Sequence, residues 1–229
     1  TFTPNFSNLS TLSCGSIFFI TLEICFFTSE NSISGLTLLI PNASPLVSAY
    51  ADFDAAIDEI LTSLGLDSDI LHRTTWHTSE DIERCYGFEA ARAVQDAVHA
   101  DGFFRTLPVK AGSVTAVRAL EQAGCEVFVC TAPSLRNSSC ASDKMLWIAE
   151  HFPSLRRKVV VSKDKTLVRG HVLIDDKPEV LGALTPVWQH VLFETPGNAH
   201  VAAEVSLSSW GEVEWLVGHV FALQRHSYN

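Results

Sequence analysis

Residues 113–131 read SVTAVRALEQAGCEVFVCT. Ser113 is a residue of helix N-cap type, apolar side chains recur at helical spacing as far as Leu120, and Gly124 supplies a stop. EVFVCT then runs almost without interruption in β-branched and apolar residues, the pattern of a strand buried on both faces. That is one helix-to-strand step, and the chain downstream repeats it. DKMLWIAEHF (143–152) reads as a helix, KVVV (158–161) as a strand, HVLIDD (171–176) as a strand, PEVLGAL (178–184) as a short helix and QHVLFE (189–194) as a strand. Near-continuous apolar strands alternating with helices give an α/β architecture, a three-layer Rossmann-like parallel sheet whose ligand site lies at the carboxyl ends of the strands.

Upstream of this core the pattern changes. AIDEILTSLG (56–65) places apolar residues at 57, 60, 61 and 64 on one helical face closed by Gly65. SEDIERCYGFEAARAVQDAVHA (79–100) continues as helix, with Ser79 as its expected N-cap. Residues 54–100 are therefore mostly helical. Residues 1–48 differ again. They hold two charges, Glu23 and Glu30, and the first basic residue of the chain is Arg73. LSCGSIFFITLEICFF (12–27) is apolar, but it lacks a basic flank, is interrupted by Glu23 and is too short to span a bilayer, so a strand or a misassigned stretch of sequence is the better reading.

The 229 residues carry 16 Lys+Arg against 26 Asp+Glu, a net charge of −10, which repels nucleic acid and anionic membrane surfaces but leaves room for a small anionic ligand in a local pocket. The six cysteines, at 14, 25, 85, 125, 130 and 140, form no CxxC pair and no zinc-ligand spacing. A reduced, cytoplasmic protein is expected; residues 1–48 contain no Arg, which argues against a mitochondrial transit peptide.

The strand ends carry the chemistry. EVFVC ends at Thr131, HVLI ends at Asp175 and Asp176, and Lys165 lies in the loop after KVVV. A hydroxyl, an ammonium and two carboxylates aimed at one sheet edge suit phosphoryl chemistry, in which carboxylates bind Mg²⁺ while the lysine and hydroxyl meet phosphate oxygens. Singly, each has a bland reading as a cap, a solvated charge or a structural hydroxyl. Phosphorelay receiver domains combine the same residue types, but with the acidic pair first. The order here, Thr131, Lys165, Asp175/Asp176, resembles the second, third and fourth motifs of the haloacid dehalogenase-like phosphohydrolases.

The flanking words sharpen the resemblance. YADF (50–53), GFFRTLPVKAG (102–112), VFVCTAPS (127–134), SKDKTLVRGHVLIDDKP (162–178) and TPVWQHVLF (185–193), in that order, are similar to the 5'(3')-deoxyribonucleotidases, which dephosphorylate deoxyribonucleoside monophosphates. The resemblance runs from about Tyr50 to Trp215. It implies that Thr131 and Lys165 bind phosphate, that Asp175 and Asp176 hold Mg²⁺ directly or through water, and that the helices of 54–100 form a cap over a core made of 49–53 and 101–229. It also places Phe53, Trp76 and Phe103 or Phe104 around the base and sugar, where an aromatic face stacks a pyrimidine and an apolar wall gives a ribose 2'-hydroxyl no partner. Arg136 and Lys144, near the phosphate loop, have two readings, added positive charge in the pocket or a place at the solvated surface, and the second is preferred for both. The implied partner is a small deoxyribonucleoside monophosphate such as dUMP or dTMP, with neither a nucleic acid polymer nor a membrane, and a homodimer is an assembly compatible with it.

One motif departs. The family's first motif, DxDGVLADF, supplies an aspartate nucleophile that becomes an aspartyl-phosphate and, two residues on, an aspartate acid/base. Here ADF stands at 51–53, but PLVSAY precedes it, so those two positions fall on Pro45 and Val47, and Ser48 replaces the glycine. No Asp or Glu lies between Glu30 and Asp52. Ser44 and Ser48 are hydroxyls without an evident base. The compositional anomaly of 1–48 ends where the recognisable sequence begins, as a misassigned N-terminal segment would, and GLTLLI (35–40) has the composition to supply an apolar first strand. The alternative to a working nucleotidase is a catalytically inactive module that keeps the phosphate pocket without the chemistry.

Overall fold

Seven residues of β1, Leu36–Asn42, occupy the middle of a six-stranded sheet. The computed structural model describes residues 36–42 and 49–226, all within the unit Ser34–Asn229. After β1 come three helices, α1 (Phe53–Ser63), α2 (Thr78–Tyr86) and α3 (Phe88–His99). The αβ run follows: α4 (Ser113–Gln122), β2 (Cys125–Thr131), α5 (Cys140–His151), β3 (Val159–Val161), β4 (Val172–Asp175), β5 (Gln189–Phe193), β6 (Ser206–Leu207) and α6 (Val213–His226).

The strand order is β3-β2-β1-β4-β5-β6, and every pairing is parallel. Parallel neighbours require crossovers, so the order reverses between β1 and β4, and ligands of such sheets bind outside the strand carboxyl ends at that reversal. Register places chemistry there. Asn42 of β1 pairs with Thr131 of β2, and Leu39 pairs with Leu173, which puts Asp175 level with Pro41 two residues further on. The strands are apolar because both faces are covered: Val127, Val129, Cys130, Val172, Leu173 and Ile174 are all buried.

Residues 49–53 are sewn to the segment before α4. Ala51 bridges Val109, Asp52 N–H donates to Pro108 O at 2.8 Å, and Lys110 N–H donates to Tyr50 O at 2.7 Å. Asp52 then caps α1, its Oδ1 accepting from Ala55 N–H, which is the structural role its place in the ADF triplet suggests. Trp147 is fully buried, with its indole N–H on Leu107 O at 2.8 Å.

Four local expectations are corrected. Helix α2 starts at Thr78 after His77, one residue before Ser79, and α4 starts at Ser113 itself, capped by Gly112 at φ 80°. The helix expected over 79–100 breaks at Gly87, whose φ of 89° and ψ of 172° are open to glycine alone and turn the chain from α2 into α3. PEVLGAL forms no helix, because its amides serve the loop of Lys165 instead. Strand β6, two residues long, is too short to announce itself in the sequence. Pro45, Val47, Ser44 and Ser48 lie outside the described residues.

Candidate phosphate-binding site

The loop after β3 is held by its own acid. Asp164 Oδ1 caps a single 3₁₀ turn, Lys165–Leu167, by accepting from Thr166 N–H at 2.9 Å, and its Oδ2 accepts from Ala183 N–H at 2.7 Å. Leu184 N–H donates to Thr166 Oγ1 at 3.1 Å. Gly182 closes this clamp, since a Cβ there would lie 1.9 Å from Asp164 Oδ1. The turn buries Lys165 and sets its ammonium on Asp175 Oδ2 at the end of β4. Asp175 Oδ1 accepts from Lys177 N–H at 3.1 Å.

Asp176 is fixed from two sides. Its carbonyl accepts from the buried Asn198 side chain at 2.7 Å, and Asn198 Nδ2 also reaches Phe193 O at 2.9 Å, so one amide ties the turn after β4 to the end of β5. Its Oδ2 accepts from the Trp76 indole N–H at 3.3 Å. Thr131 completes the set from β2: it is 1% exposed, and its Oγ1 has no hydrogen-bond partner among the described residues. A buried hydroxyl without a partner costs free energy unless a ligand serves it. Cys130, beside this group, is no nucleophile at neutral pH, because burial pushes its thiol up to about 11.

Lys144 corrects the surface reading. It is 1% exposed, donates to Ala132 O at 2.8 Å from the loop after β2, and lies over the Phe104 ring at 4.8 Å. Burial lowers its pKa to about 8, with Lys165 lowering it further and Cys140 and Asp176 opposing. The sequence did carry the signal: Lys144 stands three and four residues before Trp147 and Ile148, on the face α5 buries. Asn198, in a Gly-Asn-Ala loop, carried none. Arg136 is exposed, as expected.

The aromatic residues divide. Phe53 and Trp76 line a cavity of about 200 Å³ together with residues of α1, α2 and α3. Phe103 packs edge-on against Phe53 at 6.0 Å and against Phe104 at 5.1 Å, behind the cavity, and neither Phe103 nor Phe104 lines it. Trp76 is positioned through Asp81, a fully buried carboxylate that accepts from Thr74 N–H and Thr75 N–H, both at 2.9 Å, and from Arg84 at 2.7 Å. Burial alone would raise the Asp81 pKa; those hydrogen bonds outweigh it and hold the carboxyl well below its ordinary range. Trp76 thus lines the cavity and donates its N–H to Asp176.

A sequence model of the family described as 5' nucleotidase, deoxy (pyrimidine), cytosolic type C, matches residues 69–224. The chain belongs to that family. Among relatives, a 5'(3')-deoxyribonucleotidase so named provisionally in Bordetella pertussis is 36% identical over 128 residues, 55% of this chain and 66% of that one. The human cytosolic 5'(3')-deoxyribonucleotidase is 35% identical over 130 residues, 54% of this chain and 65% of its own. The mouse mitochondrial form is 31% identical over 149 residues, 62% and 67% respectively. The chain spans just under two thirds of the length of the first two. A haloacid dehalogenase-like family hydrolase from Deinococcus radiodurans, solved with bound phosphate and sodium, superimposes with a TM-score of 0.51 at 13% identity over 82% of this chain and 97% of that one, which bears out the α/β fold. The family match begins downstream of residues 45–53, where the first motif breaks. No helix among the described residues is long and apolar enough to cross a membrane.

For a divalent cation, the donors would be the adjacent carboxylates of Asp175 and Asp176; no group of three or more His, Cys, Asp or Glu residues able to hold a metal ion gathers among the described residues. Two carboxylates suffice for Mg²⁺ when water and a substrate phosphate supply the remaining oxygens, so the donor set fits that ion.

Proposed function

We propose that the site takes deoxyribonucleoside monophosphates, pyrimidine ones in preference, on the scaffold of a Mg²⁺-dependent phosphomonoesterase. We propose further that this chain binds them without forming an aspartyl-phosphate. The observation that carries the reading is the bridge made by Trp76: a largely apolar cavity of about 200 Å³ on one side, and on the other the carboxylate pair beside Lys165 and the unserved hydroxyl of Thr131. Thr131 would donate to a phosphate oxygen. Lys165 and Lys144 supply local positive charge in a molecule of net charge −10. Asp175 and Asp176 would hold Mg²⁺, which when bound neutralises phosphate oxygens. Phe53 and Trp76 offer π-faces to the base.

What the chain does not offer is the carboxylate pair of the first motif. Pro45 can neither attack phosphorus nor hold a proton, and Val47 cannot act as acid or base. That supports a binding role for this sequence and assigns hydrolysis to a version carrying the aspartates.

Thermal melting with Mg²⁺ and added dUMP, UMP, deoxyuridine or inorganic phosphate tests the binding. The expected result is stabilisation by dUMP above that given by phosphate or deoxyuridine alone, and less by UMP. No stabilisation by either dUMP or phosphate would overturn the reading.

A further inference from the structure

Two stretches far apart in sequence meet with no side chain between them. Segment 73–76, which leads towards α2 and ends at Trp76, lies against the loop between β5 and β6 at Gly197. A Cβ on Gly197 would stand 2.6 Å from Thr75 O and 2.6 Å from Arg73 Nη2, closer than a carbon approaches either atom. The guanidinium could swing aside. The Thr75 carbonyl could not, because the amides of Thr74 and Thr75 are both held by Asp81 Oδ2 at 2.9 Å. Arg73, its side chain 7% exposed, braces the same contact: Nη1 donates to Asp54 Oδ1 in the first turn of α1, Nη2 lies 3.5 Å from Thr75 O, and Nε lies 3.6 Å from Asp81 Oδ2. The glycine loop is tied as well. Thr195 N–H donates to Asn198 Oδ1 at 2.7 Å and Asn198 N–H to Thr195 O at 3.1 Å.

These contacts close a circuit. Asn198 holds the Asp176 carbonyl, the adjacent Gly197 seats Thr75, and Trp76, one residue on, returns its indole N–H to Asp176 Oδ2 at 3.3 Å, with Lys177 Nζ 5.9 Å from the centre of its ring. We propose that Gly197 is a positioning residue for ligand binding: its missing side chain sets how closely Trp76 approaches Asp176, and so fixes the wall of the cavity relative to the phosphate end of the site. The inference rests on the nucleotide reading given above and deepens it by naming what keeps the two ends in register. A nucleoside monophosphate has limited reach, so it gains from both ends at once only when they are correctly spaced. Inorganic phosphate occupies one end and is indifferent to that spacing. Gly197 is not among the glycines of positive φ, so what it supplies is room for a neighbouring backbone rather than conformational freedom.

The test is calorimetric binding of dUMP and of inorganic phosphate, each with Mg²⁺, to the full chain and to its Gly197→Ala, Trp76→Phe and doubly substituted variants. Gly197→Ala is expected to weaken dUMP about tenfold and to leave phosphate within about twofold. Trp76→Phe keeps an aromatic face but removes the N–H that closes the circuit, so in that background Gly197→Ala is expected to weaken dUMP by less than about threefold. Should Gly197→Ala fail to fold, Arg73→Lys loosens the same seat from the other side, because an ammonium cannot span Asp54 and Thr75 O as the guanidinium fork does, and the same split between dUMP and phosphate is expected. Unchanged dUMP affinity in Gly197→Ala, or in Arg73→Lys where it stands in, would overturn the proposal. So would equal losses of dUMP and phosphate, the mark of a residue that only supports the fold, or full additivity with Trp76→Phe. Failure of the original chain to bind phosphate, or to bind dUMP more tightly than phosphate, would overturn the nucleotide reading itself, and this inference with it.

Discussion

Lys144 and Thr131 are single buried polar groups at the candidate site. An ammonium held at a pKa of about 8, against the 10.5 of an ordinary lysine, records that burial disfavours its charge. Below pH 8 the folded and unfolded chains both carry the proton, and the folded state bears the whole penalty. Between 8 and 10.5 the unfolded chain binds more protons, so this group's contribution to stability rises with pH, by on the order of 3 kcal/mol across the window. Cys130, raised by burial, works in the opposite sense, so the comparison must be made against Lys144→Met. At pH 7 the Met variant is expected to be the more stable, and the gap should close by pH 10.5 in denaturant titrations; a constant gap would count against the buried-charge reading. Thr131→Val removes the unserved hydroxyl. Its expected signature is unchanged or slightly higher stability, by up to about 1 kcal/mol, with inorganic phosphate affinity reduced about tenfold. A clear loss of stability with phosphate binding intact would make Thr131 purely structural.

At the scale of elements, the clamp around Lys165 is the clearest case of sequence, geometry and site acting together. Asp164, Thr166 and Gly182 lock two loops, and Gly182→Ala would drive a methyl group into the Asp164 carboxylate. The expected cost is about 1–3 kcal/mol of stability with a marked loss of phosphate affinity, read by melting and by calorimetry. Normal phosphate binding in that variant would separate the clamp from the site. The same clamp explains why PEVLGAL is not a helix. Its composition permits a helix, but Ala183 and Leu184 donate their amides to Asp164 and Thr166 over a distance of some 18 residues that periodicity does not see. Helices α4 and α5 and strands β2 to β5 were legible because each carries its own period or apolar run. The break at Gly87 was not, because apolar periodicity continues through it while only a positive φ interrupts the backbone. Lys144 is the related case: its residue type suggests solvent, while its helical position puts it with Trp147 and Ile148 on the buried face of α5.

At the scale of the molecule, the order β3-β2-β1-β4-β5-β6 explains why distant words of sequence meet. Thr131, Lys165 and Asp175 come together because parallel strands put every carboxyl end at one edge, so those residues could be read as one group before any coordinates. Phe53 and Trp76 could be placed only by resemblance, since no spacing rule links a helix start to a loop 23 residues on. Phe103 and Phe104 took the bland alternative of packing. Residues 36–42 fill the central strand that the sheet needs, and the first-motif positions follow it directly in sequence. The proposed scaffold binds deoxyribonucleoside monophosphates and lacks only its first-motif carboxylates for hydrolysis. The most direct test is phosphate release from dUMP with and without Mg²⁺, comparing the chain with Pro45→Asp/Val47→Asp/Ser48→Gly, and each with Asp175→Asn/Asp176→Asn added. The expected result is no release from the unaltered chain and Mg²⁺-dependent release from the triple variant, abolished by the added asparagines. Release by the unaltered chain, lost on Asp175→Asn/Asp176→Asn, would contradict it.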